Sequence, residues 1–355
     1  MLDSQAVLDV LRPVQDPELQ KSLVELNMIR NVEIDPSGHV RFTLVLTTPA
    51  CPLREFIVED CQKAVRSLPG VQAVDVEVTA ETPQQKSLPD RQGVPGIKNI
   101  IAISSGKGGV GKSTVAVNVA VALAQLGAKT GLLDADIYGP NAPTMLGLAQ
   151  AQVLVQKDAQ GQDVLEPAFN HGIKMVSMGF LIDPDQPVIW RGPMLNGIIR
   201  QFLYQVDWGE LDYLVVDLPP GTGDAQLTLV QAVPMSGAVI VTTPQTVSLL
   251  DARRGLKMFE QLGAKVLGIV ENMSYFIPPD LPDHRYDLFG SGGGETLAQE
   301  LQVPFLGSVP LEIPVREGGD RGLPIVVQFP ESASAQALRA IAQQIAAKVS
   351  LAALT

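Results

Sequence analysis

Apolar and polar positions follow two regimes along this chain. In the first stretch, a helical spacing over Ser4 to Leu11 gives way to strands over Met28 to Ile34 and Val40 to Thr47, separated by a Pro36-Ser37-Gly38 turn. A helix over Leu53 to Leu68 and a strand over Val71 to Val78 follow, so residues 1–80 read as a small α+β unit. Between Thr79 and Gly96 the sequence TAETPQQKSLPDRQGVPG is rich in Pro, Gln and charge with no apolar period, which predicts a linker over 81–96. Beyond it, buried-type strands alternate with helices through Leu311. That alternation predicts an α/β domain over 97–355, with a parallel sheet covered on both faces. Its strands include Lys98 to Ser104, a run from Leu132 ending in Asp134 and Asp136, the stretch after Asp212, and Leu267 to Ser274 ending in Glu271 and Asn272. Ser332 to Leu354 reads as a packing helix, and no internal repeat or low-complexity tract is visible.

Composition places this pattern in a setting. With 355 residues, 46% hydrophobic and 18% charged, the chain can bury ample cores and is long enough for two domains. Two cysteines argue against a disulfide framework and suit a reducing compartment. The opening MLDSQAVLDV has acids where a leader would have basic residues, and no apolar run nears a membrane span. Neither a signal peptide nor a transmembrane helix is expected, and the location is read as cytoplasmic. A net charge of -12 disfavours nonspecific attraction to nucleic acid or anionic membrane, so neither is expected as a partner.

The chemistry concentrates after the strand Lys98 to Ser104, where Ser105 to Thr114 reads SGKGGVGKST. Gly106, Gly111, Lys112 and Ser113 fill the G-x-x-x-x-G-K-[ST] pattern between a strand and a helix over Ser113 to Leu126. Glycines allow successive backbone N–H groups to turn inward around a phosphate. Lys112 adds a charge for the phosphates, Ser113 a hydroxyl for Mg²⁺, and the helix its positive end. Lys107 comes too early to repeat the work of Lys112, which leaves it free to point across a dimer interface at a partner's nucleotide, as an arginine finger would. Further on, DYLVVDLPPGTGD (Asp212 to Asp224) ends a strand at Asp217 and continues into a Pro-Pro-Gly turn. The prolines stiffen that turn, while Gly221 is bare enough for its N–H to approach a γ-phosphate. The glycines of Phe289 to Leu297 (FGSGGGETL) serve packing or a turn.

In order, SSGKGGVGKST, LLDADIYGPN, DLPPGTGD, VENMSYF and FGSGGGE resemble the deviant Walker A (MinD/ParA-like) P-loop ATPases, and within them the Mrp/ApbC/Nbp35 iron-sulfur cluster carriers, over about Ile97 to Thr355. The resemblance implies a homodimer that binds and hydrolyses ATP with Mg²⁺, Lys107, Lys112 and Asp136 being catalytic. Asp136 would orient the attacking water. Nucleotide contacts are implied for Gly106, Lys107, Gly108, Gly109, Val110, Gly111, Lys112, Ser113 and Thr114, and for Asn272, whose amide matches an adenine edge. Magnesium would be held by Ser113 and Asp217, with Asp134 supporting its shell. An iron-sulfur cluster of the four-iron four-sulfur type would be passed to apo iron-sulfur proteins in concert with assembly factors. The chain departs from the family where most members carry Cys-x-x-Cys after the VENMS strand: Phe276 to Pro282 reads FIPPDLP, without cysteine.

VQDPEL (Val14 to Leu19) and LTTPACPL (Leu46 to Leu53) make the first unit resemble the MIP18 (DUF59) domain of iron-sulfur assembly factors. Cys51 lies between prolines just before a helix start at about Leu53, a position that favours thiolate and makes it a candidate metal ligand. Cys61 shares an apolar helical stripe with Ile57, Ala64, Val65 and Leu68 and reads as a buried core thiol. Asp16 and Glu18 read either as turn caps, the preferred role, or as groups that help orient a partner. Of the three histidines, only His284, in the segment that replaces the cysteine pair, merits testing as a ligand. The competing function is an adaptor or positioning ATPase that kept the fold and lost the metal chemistry.

Overall fold

The computed structural model describes residues 2–17, 19–84, 92–152, 154–157, 161, 163–181, 192–281 and 283–354, the side chains of 192–195 and 224 aside. Glu18 and the Asp224 carboxylate thus lie outside the description. The chain divides into two compact units, Met1–Pro83 with Ala346–Thr355, and Gln84–Ile345.

In the first unit α1 (Ser4–Leu11) begins at Asp3, whose Oδ1 accepts the Ala6 N–H at 2.8 Å. A short ribbon of β1 (Gln15–Asp16) and β2 (Lys21–Ser22) follows, its turn capped by Asp16 Oδ1, which accepts the Leu19 N–H at 3.0 Å. Strand β3 (Ile29–Ile34) pairs antiparallel with β4 (His39–Leu46). After α2 (Arg54–Arg66), β5 (Ala73–Ala80) joins β4 in parallel. Ile57, Cys61 and Val65 on α2 close over Phe42 and Leu44 of β4. Each fully buried large apolar side chain contributes about 1.5–3 kcal/mol, so this helix-on-sheet layer is what holds the unit together.

The second unit starts with β6 (Ile97–Ser105), α3 (Lys112–Gln125), β7 (Thr130–Asp134) and α4 (Ala142–Met145). A ribbon of β8 (Leu154–Lys157) and β9 (Asp163–Glu166) precedes β10 (Ala168–Asn170), β11 (Ile173–Ser177), α5 (Gly192–Tyr204) and β12 (Leu211–Asp217). Then come α6 (Asp224–Ala232), β13 (Gly237–Thr242), α7 (Thr246–Gln261), β14 (Val266–Phe276), α8 (Gly293–Glu300) and β15 (Phe305–Leu311). Three helices finish the chain, α9 (Ile313–Arg321), α10 (Ile325–Gln328) and α11 (Ala333–Leu354). The last residues of α11 belong to the first unit, where Ser350 Oγ donates to the Thr47 carbonyl at 3.1 Å.

Eight strands form one sheet in the order β10-β11-β7-β12-β6-β13-β14-β15. All neighbours are parallel except β10 and β11, so an antiparallel edge and the β8–β9 ribbon qualify the all-parallel expectation. Neither shows the apolar run of a buried strand: every residue of β8 is exposed, so no hydrophobic alternation marks it in the sequence. The central strands β12 and β13, by contrast, are almost wholly buried. Helix α3 is buried on every face, with Val115 through Leu123 all enclosed and apolar except for Asn118, as befits a helix covered on all sides. Two strand ends also differ from expectation. β7 stops at Asp134, leaving Asp136 in the following loop, and β14 continues past Glu271 and Asn272 to Phe276 through a left-handed Met273 at φ 54°.

Candidate functional site

The carboxyl ends of β6, β7 and β12 lie side by side, because Asp217 is in register with both Asp134 and Ile103. This is where an open parallel sheet binds its ligands. The loop leaving β6 is shaped by two glycines. A Cβ on Gly106 would lie 2.1 Å from the Asp251 backbone, and Gly111, at φ 77°, would drive one to 2.1 Å from Asn272 Nδ2. Gly111 ends the loop as the residue before α3, so the amides of the loop and the positive helix end converge on one concavity. Gly108 and Gly109 are exposed at its tip, Val110 is buried beneath, and Ser113 and Thr114 are half-buried on the first turn of the helix.

Lys112 binds the carboxylates. Its Nζ lies 2.6 Å from Asp217 Oδ1, 3.4 Å from Asp136 Oδ2 and 3.3 Å from Ser113 Oγ. Burial strips solvent from this ammonium, yet Asp217 and Asp136 together hold its pKa above the ordinary lysine value. Asp217 and Asp134 are fully buried. Burial pushes Asp217 up, and Lys112 and Ser113 pull it back. Burial and the Asp217 charge push Asp134 up to about 8. Asp134 is also a scaffold, since Oδ1 accepts the Asp136 N–H at 3.1 Å and Oδ2 the Ser177 hydroxyl at 2.9 Å. Asp136 Oδ1 in turn accepts the N–H groups of Tyr138 and Gly139 at 3.2 and 3.3 Å, fixing the loop that leaves β7.

Three carboxyl groups thus face one ammonium in a buried site, and ionising them all leaves an imbalance that a cation would relieve. Asp217 Oδ2 is buried with no hydrogen-bond partner, and the Ser113 hydroxyl stands beside the same lysine. That donor pair fits a hard divalent ion that draws its remaining ligands from phosphate and water. Among the described residues no cluster of three or more His, Cys, Asp or Glu could hold a metal by itself.

The raised Asp134 has a consequence for stability. A carboxyl at about 8 in the fold, against 3.8 ordinarily, adds stability that is complete below the lower value and lost as pH climbs through the upper one. Asp134→Asn keeps an acceptor for Asp136 and removes the charge. Its melting temperature should match wild type only below about pH 3.8 and exceed it increasingly as pH climbs toward 8, by about 2–4 °C per kcal/mol. Melting curves of both proteins without nucleotide check this, and a constant difference across the range contradicts it.

Beside the loop, a cavity of about 360 Å³ is lined by Thr114 and Asn118 of α3, Asn272, Pro310, Val315 and Ile325. Its mostly apolar wall with a few amides suits a flat heterocycle. Asn272 lines it, while its Nδ2 donates to the Val110 carbonyl at 2.9 Å, so this residue also braces the loop. Lys107 is half-buried and makes no ion pair among the described residues; its carbonyl accepts the Ser105 hydroxyl at 2.9 Å.

Several site residues had no sequence signal. Ser177 reaches Asp134 from β11, and Asn118 binds the Thr114 carbonyl at 2.9 Å. Glu271, buried within β14, accepts the Gly294 N–H at 2.6 Å and so caps α8, whose Gly293 and Gly294 leave no room for a Cβ. Gln226 has only its place as the third residue of α6 to mark it.

In the first unit Cys51 is partly exposed, three residues before α2, and packs against the core edge. Cys61 is buried, its thiol pushed up to about 12 by burial and by Asp60. The histidines stand apart: His39 opens β4 with Nε2 2.9 Å from Asp75, His171 contacts the Gly322 carbonyl at 2.9 Å, and His284 is exposed. The segment lacking the cysteine pair closes on itself, Phe276 and Tyr286 exchanging backbone bonds at 2.8 Å while Arg285 stacks 4.3 Å over Tyr275.

With this geometry in place, the kinship of the chain is informative. A family model described as ParA, the NUBPL iron-transfer P-loop NTPase, matches residues 96–346, and one described as iron-sulfur cluster assembly protein matches 4–78. A Synechocystis sp. protein named iron-sulfur cluster carrier protein is 81% identical over 354 residues, covering 100% of both chains. One of the same name from Deinococcus radiodurans is 48% identical over 98% of this chain and 95% of its own. Among solved structures, a nucleotide-binding protein of Archaeoglobus fulgidus in complex with ADP is similar at a TM-score of 0.57 and 41% identity, covering 67% of this chain and 91% of that one. The chain belongs to the NUBPL family of iron-transfer P-loop NTPases, with an iron-sulfur cluster assembly domain ahead of the P-loop domain.

Proposed function

We propose that the chain is an ATP-hydrolysing homodimer that carries an iron-sulfur cluster and passes it to apo iron-sulfur proteins. Family membership and the relatives' shared name support the carrier role. The observation that carries the ATPase part is Lys112 held between Asp217 and Asp136 beside an unbonded Asp217 Oδ2. In this state Lys112 neutralises the carboxylates; in the nucleotide complex it turns to the phosphates cradled by Gly106 through Ser113, and Thr114 and Asn272 flank the base. Magnesium, held by Ser113 and Asp217, would then supply the charge that Lys112 gives up and neutralise phosphate oxygens. Asp136, already aimed into the site by Tyr138 and Gly139, orients the attacking water. Lys107 from the second copy meets the charge that develops on the leaving phosphates. Loss of the γ-phosphate relaxes the Asp134–Pro140 and Pro219–Asp224 segments, which signals the nucleotide state to the rest of the dimer.

For the cluster, Cys51 is the more exposed of the two thiols and the ligand this reading uses. Cys61 is enclosed and its thiol resists ionisation, so a stable cluster draws on Cys51 from two chains or on ligands from a client or small thiol. Assembly factors and apo acceptors are the partners this implies, with the cytoplasm as the setting. Among the described residues no helix is long and apolar enough to cross a membrane. A second reading, an adaptor or positioning ATPase without a cluster, is favoured by one observation, the cysteine-free Phe276–Pro282 segment. Phosphate release from ATP tests the first step: the wild-type chain should turn over ATP only with Mg²⁺, and no release at any protein concentration would remove hydrolysis from the reading.

A further inference from the structure

The turn after β12 is held by a side chain to which the nucleotide reading gives no work. Gln226, on the first turn of α6, is 1% exposed. Its Nε2 donates to the carbonyls of Pro219 at 2.7 Å and Gly221 at 2.9 Å, and its Oε1 accepts the Gly223 N–H at 3.0 Å. Both donors of the amide and one acceptor position are therefore engaged with a single five-residue turn. That turn is bonded in its own right to the phosphate loop. The Gly221 N–H donates to the Ser105 carbonyl at 2.8 Å, and the Ser105 hydroxyl donates to the Lys107 carbonyl at 2.9 Å. Hydrogen bonds thus run without a gap from α6, through the turn, to the peptide that carries Lys107. Packing does not hold the turn at its centre, since Gly221 sits at φ 92° with nothing within 4 Å of where a Cβ would stand.

We propose that Gln226 is a positioning residue for ATP turnover: it keeps Pro219–Gly223 in one piece so that the Gly221 N–H can pass between the Ser105 carbonyl and a terminal phosphate oxygen as the nucleotide changes. The proposal rests on the ATP-hydrolysing reading above. The exchange conserves a hydrogen bond and replaces a neutral acceptor by a charged, stronger one, so a small displacement of a rigid turn suffices. A turn without the Gln226 bonds samples other shapes, and turnover falls with the fraction of time the competent shape is present. When Gly221 leaves the Ser105 carbonyl, the Ser105–Lys107 peptide loses a tether, which links the turn to the freedom of the lysine that crosses to the partner.

Two substitutions test this in the full chain. Gln226→Glu is nearly isosteric and sets a carboxylate against two carbonyls; Gln226→Met keeps the length and removes every bond. Without nucleotide, both should exchange the Gly221 amide at least about tenfold faster than wild type, and Gln226→Met the Gly223 amide as well, while Leu214 to Asp217 stay protected. With Mg-ATP, kcat should fall at least about tenfold while KM and the affinity for ADP stay within about threefold. Unchanged exchange in both variants overturns the clamp, whatever the ATPase does. Faster exchange with wild-type kcat overturns the role in turnover. Exchange spreading through β12 with a matching loss of ADP affinity marks a folding defect and overturns positioning. A wild-type chain that releases no phosphate removes the hydrolysis reading and the turnover role with it, while the exchange data still decide whether the clamp exists.

Discussion

Lys107→Ala should bind Mg-ATP within about threefold of wild type and lose about 10³-fold or more in kcat, as removal of an arginine finger does. That loss amounts to about 4 kcal/mol of transition-state stabilisation. The separation of binding from turnover follows from where the two lysines sit. Lys112 is enclosed against Asp217 and Asp136, whereas Lys107 makes no ion pair among the described residues and touches none of the site's carboxylates. On the proposed reading, its charge becomes useful when a second copy brings a nucleotide to it. Mixing distinguishes action across the dimer from action within one chain. Lys107→Ala and Asp136→Ala, each inactive alone, should together recover up to roughly a quarter of the wild-type rate, because a mixed two-fold dimer contains one intact site. Wild-type turnover by Lys107→Ala, or no recovery on mixing, contradicts the trans role.

Lys112→Ala should lose at least about 100-fold in nucleotide affinity, or about 2.7 kcal/mol. The fold should suffer as well. Removing the ammonium leaves Asp217, Asp136 and Asp134 close together in a buried site, and breaking a buried pair from one side costs about 3–5 kcal/mol unless the carboxylates take up protons. The variant should therefore melt well below wild type at pH 8 and approach it as pH falls. Titration calorimetry with ADP and melting curves at two pH values check both parts. Wild-type ADP affinity would remove Lys112 from the phosphate site, and a melting temperature unaffected at pH 8 would mean that the carboxylates are compensated by something else.

What the sequence made legible is what is local. Ser105 to Thr114 displays strand, loop, lysines and helix start within ten residues, and the apolar runs ending at Asp134 and Asp217 mark strand ends wherever the strands lie. The rest of the site is made by register and long-range approach. Ser177 meets Asp134 because β11 lies beside β7, and Asn272 reaches Val110 from 162 residues away. The cavity wall at Pro310 and Val315 comes from the far end of the sheet, with no local motif of its own. Gln226 looks like any helix-surface glutamine until the turn before it folds back over its amide. The β8–β9 ribbon carries no apolar pattern because its residues bury little, and the helix pattern that runs unbroken through Ala346 does not mark the grouping of 346–355 with the first unit. The expectation for Cys61 rested on its apolar stripe, and its complete burial agrees.

The carrier reading stands or falls on whether this chain holds a cluster despite the missing cysteine pair. The direct measurement is iron and sulfide per chain after anaerobic reconstitution, with transfer to an apo acceptor, on wild type and Cys51→Ser in parallel. Wild type should take up iron and sulfide in equal amounts and deliver them, and Cys51→Ser should do neither while still binding Mg-ATP. No iron or sulfide on the wild-type chain would contradict the carrier role and leave an adaptor ATPase; full loading of Cys51→Ser would contradict the assignment of its ligand.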